Sequence, residues 1–160
     1  MQTTFCNNQN RSEKIKVPLD RRPGVVYEIK CGCHASYIGE TGKGLLDRFH
    51  EHTAALARYK TAKRRLNGLP AQRRGRPQTR DPTKIMDEAI KASAVVEHGS
   101  TCPLELQPRI VCREVRFHLR RIKEALYIRH NPSLSRDKGV QFTEVWNTII
   151  NITRCCILPT

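Results

Sequence analysis

Two phenols, a guanidinium and an imidazole fall close together in the stretch GVVYEIKCGCHASYIGETGKGLLDRFHEH, from Gly24 to His52: Tyr27, Tyr37, Arg48 and His52. These groups suit work on a phosphodiester. Its hydrolysis needs an activated water, a positive group for the charge on the phosphate oxygens, and stabilisation of the leaving 3′ oxygen. Tyr27 or Tyr37, polarised by Arg48 and Lys43, could orient or deprotonate water. Arg48 suits a bidentate phosphate contact, and His52 could hydrogen-bond a tyrosine or the phosphate. Taken singly, each has a plainer reading. A tyrosine on an alternating strand is commonly a cross-strand aromatic, and charges four apart commonly mark a solvated helix face.

The elements that would position these groups follow from periodicity. Val25, Tyr27 and Ile29 alternate as on a strand, and a turn at Cys31-Gly32-Cys33 would return the chain so that Tyr37 lies beside Tyr27 as a cross-strand neighbour. Gly39 and Gly42 permit close approach of the backbone. Leu45, Leu46, Phe49 and Leu56 then recur at helical spacing, which places Arg48 and His52 on one helix face. Asp81-Pro82 starts a second helix, whose stripe of Ile85, Met86, Ala89, Ile90 and Ala94 is predicted to cover the sheet. Arg109 to Cys112 reads as a third strand, and Val115, Leu119, Ile122 and Leu126 as a helix ended by His130-Asn131-Pro132. The fold class is α+β, a small three-stranded antiparallel sheet flanked by helices.

The chain has 160 residues, enough for one small domain with appendages. Residues 1–23 read as a polar arm or linker, 24–146 as the domain, and 147–160 as a tail too short to place. Lys and Arg number 29 against 15 acidic residues, a net charge of +14 that calls for a polyanionic partner. Nine basic residues and no acidic one lie in 58–80, read as a mobile basic insertion loop. Its Arg64, Arg65, Arg73 and Arg74 would hold a nucleic-acid backbone without sequence preference. No apolar run is long enough to span a membrane and the first residues lack a signal-peptide core, so an intracellular site of action is expected. Cysteines number seven, which in a reducing compartment favours metal binding for the clustered ones. By spacing alone, Cys31 and Cys33 are either half of a metal site or a turn with two buried thiols.

Gly24-Val25-Val26-Tyr27, then Tyr37-Ile38-Gly39, then Arg48-x-x-x-His52, resembles the GIY-YIG endonuclease module. The two cysteines between the half-motifs resemble the endonuclease domain that closes the polyprotein of Penelope-like retroelements. Ile122 to Arg129 resembles the helix on which that module carries its metal-binding glutamate, here Glu124. The likeness runs from Gly24 to Trp146, with a poorly matching interval from Ala57 to Arg80. It implies a divalent-metal-dependent DNA endonuclease that nicks or cleaves target DNA for integration, with an upstream reverse transcriptase in the same polypeptide. DNA, and retroelement RNA, would be the partners. Tyr27, Tyr37, Arg48, His52 and Glu124 would be catalytic, and Gly39, Lys43 and Ser135 would contact substrate. Glu124 would ligate Mg²⁺ or Mn²⁺, although that carboxylate could equally pair with Arg120 or Arg121 on its own helix.

The retroelement branch also carries a Cys-Cys-His-His set. His98 matches its first histidine, and the second falls at or near Cys102. The resemblance therefore implies a closed, structural zinc site of Cys31, Cys33, His98 and Cys102, with Cys112 the runner-up ligand. Cys6, Cys155 and Cys156 have no assigned partner, and His34, His50 and His118 read as ordinary surface or packing residues. Two departures matter. Glu40 follows the YIG where the family commonly has lysine or glutamine, so an extra carboxylate could repel the phosphate or help hold the metal. Ser135 stands where the family's asparagine is usual, with Asn131 in a different register. These departures permit a rival from another class, a zinc-stabilised nucleic-acid-binding module that has lost hydrolysis. A basic RNA-packaging protein would explain the charge but not the order of the motifs.

Overall fold

The computed structural model describes residues 18, 21–69, 79–137, 139–141, 143–153 and 155–158. Arg73, Arg74 and Cys6 lie outside them. The order of elements is β1 (Val25–Cys31), β2 (Ser36–Thr41), α1 (Leu45–Leu66), α2 (Pro82–Ala92), α3 (Ala94–Thr101), β3 (Leu106–Arg113), α4 (Phe117–His130) and α5 (Glu144–Thr153). The α+β class expected from periodicity is thus the one found. The three strands form one antiparallel sheet, ordered β2-β1-β3. No helix among the described residues is long and apolar enough to cross a membrane.

β1 is central and almost wholly buried because both of its faces are covered. Val25, Tyr27 and Ile29 point to one face, where they pack with Leu45 and Phe49 of α1, Val95 of α3 and Tyr37 of β2. The opposite face carries Val26, Glu28, Ile38 and Glu40, and α4 lies over it, in contact with β1 and β2. Glu28 is 4% exposed and would be costly there unpaired. Ser36 Oγ donates to it at 2.6 Å and Arg109 forms an ion pair with it.

The register puts Tyr27 opposite Gly39 and Tyr37 opposite Ile29. The tyrosines are therefore diagonal neighbours rather than directly facing ones, with ring centroids 6.2 Å apart. Gly39 is required by this packing. A Cβ there would lie 2.8 Å from the Tyr27 hydroxyl oxygen and 3.0 Å from the Tyr37 ring, so the Tyr27 ring rests on bare backbone.

Several expectations need correction. Arg58 to Leu66 is not loop but the last part of α1, which has no Gly or Pro before Leu66 and places Lys63, Arg64 and Arg65 at its negative end. The stop comes at Gly68, with φ +72°. Gly68 N–H donates to Arg65 O and Leu69 N–H to Arg64 O, the paired bonds of a Schellman motif. α2 starts as expected, with Asp81 accepting from Thr83 N, but its apolar stripe packs on α1 and α3 instead of on the sheet. Ala94, expected on the stripe of the second helix, belongs to a separate helix, α3, capped by Ser93. Val115 precedes α4 and is exposed. The boundary at 146 cuts α5, whose Ile150 is buried against Leu126 and Cys156. Asn131 fastens this end: its Nδ2 donates to Tyr127 O and Cys156 O, and its Oδ1 accepts from Leu158 N.

Candidate active site and metal centre

β2 is an edge strand, so side chains from both faces of the sheet reach the space beside it. A cavity of about 530 Å³ opens there, lined by Tyr37, Arg48, His52, Glu124 and Ser135 among others. Four of the five residues expected to be catalytic therefore share one wall system. They are brought by β2, α1 and α4, elements far apart in the chain.

Tyr27, the fifth, stands behind that wall. It is 1% exposed and does not line the cavity. Its hydroxyl lies 2.9 Å from His52 Nε2 and accepts from Arg48 Nε at 3.3 Å. His52 Nδ1 lies 3.4 Å from Ser93 Oγ, which already accepts from Val96 N. One proton arrangement satisfies every atom. Arg48 donates to the Tyr27 oxygen, the Tyr27 hydroxyl donates to Nε2, and Nδ1–H donates to Ser93, a tautomer assigned from the network. Burial, reinforced by Arg48, lowers the His52 pKa from 6.5 to about 4, so the ring is neutral at pH 7. Burial and the adjacent Tyr37 push the Tyr27 phenol above its ordinary range, and burial also raises Tyr37. The Tyr37 ring meets His52 edge-on at 5.5 Å and is the tyrosine that faces the cavity.

Glu124 comes from the α4 side. Burial, and then the Glu40 carboxylate, raise its pKa to about 7, and the Glu40 backbone N–H, followed by the Arg121 charge, offsets part of this. Glu124 does not pair with Arg120. That buried guanidinium instead forms an ion pair with Glu40 and donates to Glu114 O and Val115 O, each at 3.1 Å. Glu40 is thereby committed to the α4 contact. Ser135 lines the cavity, but its hydroxyl donates to Ile38 O at 2.6 Å and accepts from Ile38 N, stitching the chain after α4 to the open edge of β2.

Other expected substrate contacts sit elsewhere. Lys43 is not among the residues lining the cavity; it pairs with Glu51, a lining residue that also accepts from Arg48 Nη1 at 2.6 Å. Arg64 and Arg65 lie beyond the cavity at the end of α1. The sequence reading missed Glu51, Ser93 and the cavity cations Arg58, Lys91 and Arg136. Glu51 stands three residues after Arg48, a spacing that signals a helical pair, and Ser93 before an apolar run is a cap signal. Arg136 has no such local signal. It donates to Ile90 O and Lys91 O at the end of α2 and pairs with Glu97, pinning the segment that carries Ser135.

The second constellation lies at the hairpin turn. Cys31, Cys33, His98 and Cys102 each offer a ligand atom, all four within 4.8 Å of one another. His98 lies on α3 and Cys102 caps its end, so their spacing of four puts both on one side of the helix. The turn is held by Cys31 N donating to Ala35 O and by Gly32 N donating to Glu105 O. Cys31 and Cys102 sulfurs are 3.6 Å apart, and Cys33 Sγ is 3.4 Å from His98 Nε2. A tetrahedral zinc with ordinary bond lengths has ligand–ligand edges of roughly 3.5 to 3.8 Å. The cluster could therefore hold a metal such as zinc, with no coordination position left open. Cys112 is no part of it. It pairs with Val26 at the other end of β1, whereas Cys31 pairs with Leu106.

Comparison of the chain with protein-family models, with curated proteins and with solved structures gave no match.

Two outcomes follow from this geometry. Cobalt added to metal-free chain should give the visible bands of a tetrahedral thiolate site at one ion per chain, and Cys31→Ser should abolish them; an unchanged spectrum in that variant contradicts the ligand set. The His52 pKa is lower in the folded than in the unfolded state, so between pH 6.5 and 4 the unfolded chain binds the extra proton. Stability should therefore fall as pH drops through that window, by on the order of 3 kcal/mol. In urea titrations at several pH values His52→Gln should flatten that slope, and an equal slope in both chains contradicts the assignment.

Proposed function

We propose that the chain is a divalent-metal-dependent DNA endonuclease of the GIY-YIG kind, of the branch found in Penelope-like retroelements. The observation that carries this reading is the sharing of one cavity by Tyr37, Arg48, His52 and Glu124, with Tyr27 hydrogen-bonded directly behind them. A chance arrangement of core aromatics and solvated charges gives no reason for that convergence. The net charge of +14 supports a nucleic-acid partner, and the retroelement reading places the reaction in the nucleus, in a polypeptide that also holds a reverse transcriptase.

The residues divide the work as follows. Arg48, aimed by its bonds to Tyr27 and Glu51, receives the phosphate oxygens. Tyr37 faces the cavity and orients the attacking water. Tyr27 is a positioning residue: it accepts from Arg48 and donates its hydroxyl hydrogen bond to Nε2 of the neutral His52, so the ring and the guanidinium hold each other in place. The Glu124 carboxyl is partly buried, and near neutral pH it has not fully ionised without a cation. This suits it to hold Mg²⁺ or Mn²⁺, which when bound supplies charge for the leaving 3′ oxygen. Glu40 is engaged by Arg120, so it neither meets the phosphate as a free carboxylate nor serves as a free ligand. An ion at the cysteine cluster would be structural, joining the hairpin to α3.

The rival, a binding module without hydrolysis, draws on Ser135. Its hydroxyl is spent on the β2 backbone, and no amide stands in its place. A plasmid-nicking assay with Mg²⁺ separates the two. The nuclease reading predicts nicked product that falls by about 10²-fold or more in Glu124→Ala and in Arg48→Ala, with Glu124→Ala still binding DNA. Binding by the parent chain with no product would favour the rival.

A further inference from the structure

In the division of labour above Glu51 only helps to aim Arg48, yet it joins two cations. Its carboxylate accepts from Arg48 Nη1 at 2.6 Å and forms an ion pair with Lys43. Arg48 is the group best suited to a phosphate, and Lys43 is the nearest basic residue on the β2–α1 connection. Arg48 and Glu51 line the cavity, and one anion between two cations has the coordination of a backbone phosphate. The two cations hold the Glu51 pKa down near 2, so it stays ionised throughout the range in which DNA is bound. It is not locked in place: its side chain is 40% exposed and that of Lys43 65%. Pairs this open are weak, and another anion can displace them at little cost.

We propose that Glu51 is a displaceable internal anion, occupying the place of the scissile phosphate between Lys43 and Arg48 until DNA displaces it. The inference rests on the nuclease reading and concerns its substrate step. In the free chain Glu51 keeps Arg48 aimed and prevents two adjacent cations from repelling each other. On binding it swings out toward solvent, and the DNA phosphate inherits both partners. Every binding event therefore exchanges two intramolecular ion pairs for two intermolecular ones, which lowers affinity and lets product leave.

The test is the salt dependence of binding to a fluorescein-labelled DNA duplex, measured without divalent metal between roughly 50 and 200 mM salt. The variants are Glu51→Gln and, as a control with the same change in net charge, Asp87→Asn, an exposed carboxylate on α2 outside the cavity. Glu51→Gln should bind several-fold tighter than the control. The slope of log affinity against log salt should steepen by about 0.9 to 1.8, the equivalent of one or two added phosphate contacts. Adding Lys43→Gln to Glu51→Gln should take back about one contact of that gain. Circular dichroism establishes that each variant is folded. Slope and affinity equal to the control, or weaker binding by Glu51→Gln, would overturn the proposal while leaving the nuclease reading intact. A parent chain that binds no duplex at all would overturn both.

Discussion

The hydrogen bond from the Tyr27 hydroxyl to His52 Nε2 joins two buried residues of the central strand and of α1, the longest helix among the described residues, and the candidate site is arranged around it. Left unpaired, a buried phenol and a buried imidazole would each cost about 1–3 kcal/mol. Paired, they fix the rotation of α1 relative to the sheet. That rotation decides where Arg48, one turn earlier, can point, and Arg48 in turn donates to the same hydroxyl. Gly39 belongs to this arrangement, because only a residue without a Cβ lets the Tyr27 ring lie across β2.

α3 connects the two constellations. Its capping residue Ser93 contacts His52 Nδ1, and its far end supplies His98 and Cys102 to the cysteine cluster. An eight-residue helix is only about 12 Å long. Fixing its C-terminal end at the hairpin turn therefore also limits how far Ser93 can move from the imidazole. Among the described residues few large side chains are fully buried, and an ion tying β1 to α3 would supply rigidity that a modest core does not. On the opposite face Glu28, Glu40, Arg109 and Arg120 form two ion pairs, one holding β3 against β1 and the other α4 against β2.

Much of this was legible in the amino-acid order because the information is local. Val25-x-Tyr27-x-Ile29 gives its strand by alternation, Arg48 and His52 share a face by helical spacing, and Asp81-Pro82 announces a helix start. The four members of the cysteine cluster came from resemblance rather than from spacing, and the distances among their ligand atoms bear that grouping out. What stayed hidden was decided by tertiary contact. α3 is short and rich in β-branched residues, so its helical signal is weak until Ser93 and the hairpin turn hold its ends. α5 gains its place from Ile150 meeting Leu126, a pairing no window of sequence contains. Glu40 could be read as a metal ligand or as an obstacle to phosphate. The structure gives it instead to Arg120, eighty residues away.

The central claim is that Glu124 and Tyr37, carried on opposite faces of one sheet, meet at a single cation-binding cavity beside β2. Paramagnetic broadening by Mn²⁺ of tyrosine ring signals in zinc-loaded protein tests it most directly, with Tyr59, remote on α1, as internal reference. The account predicts that low Mn²⁺ broadens the Tyr37 ring well before Tyr59, and that Glu124→Gln removes the difference. Equal broadening of both rings, or selective broadening of Tyr37 that survives Glu124→Gln, would contradict it.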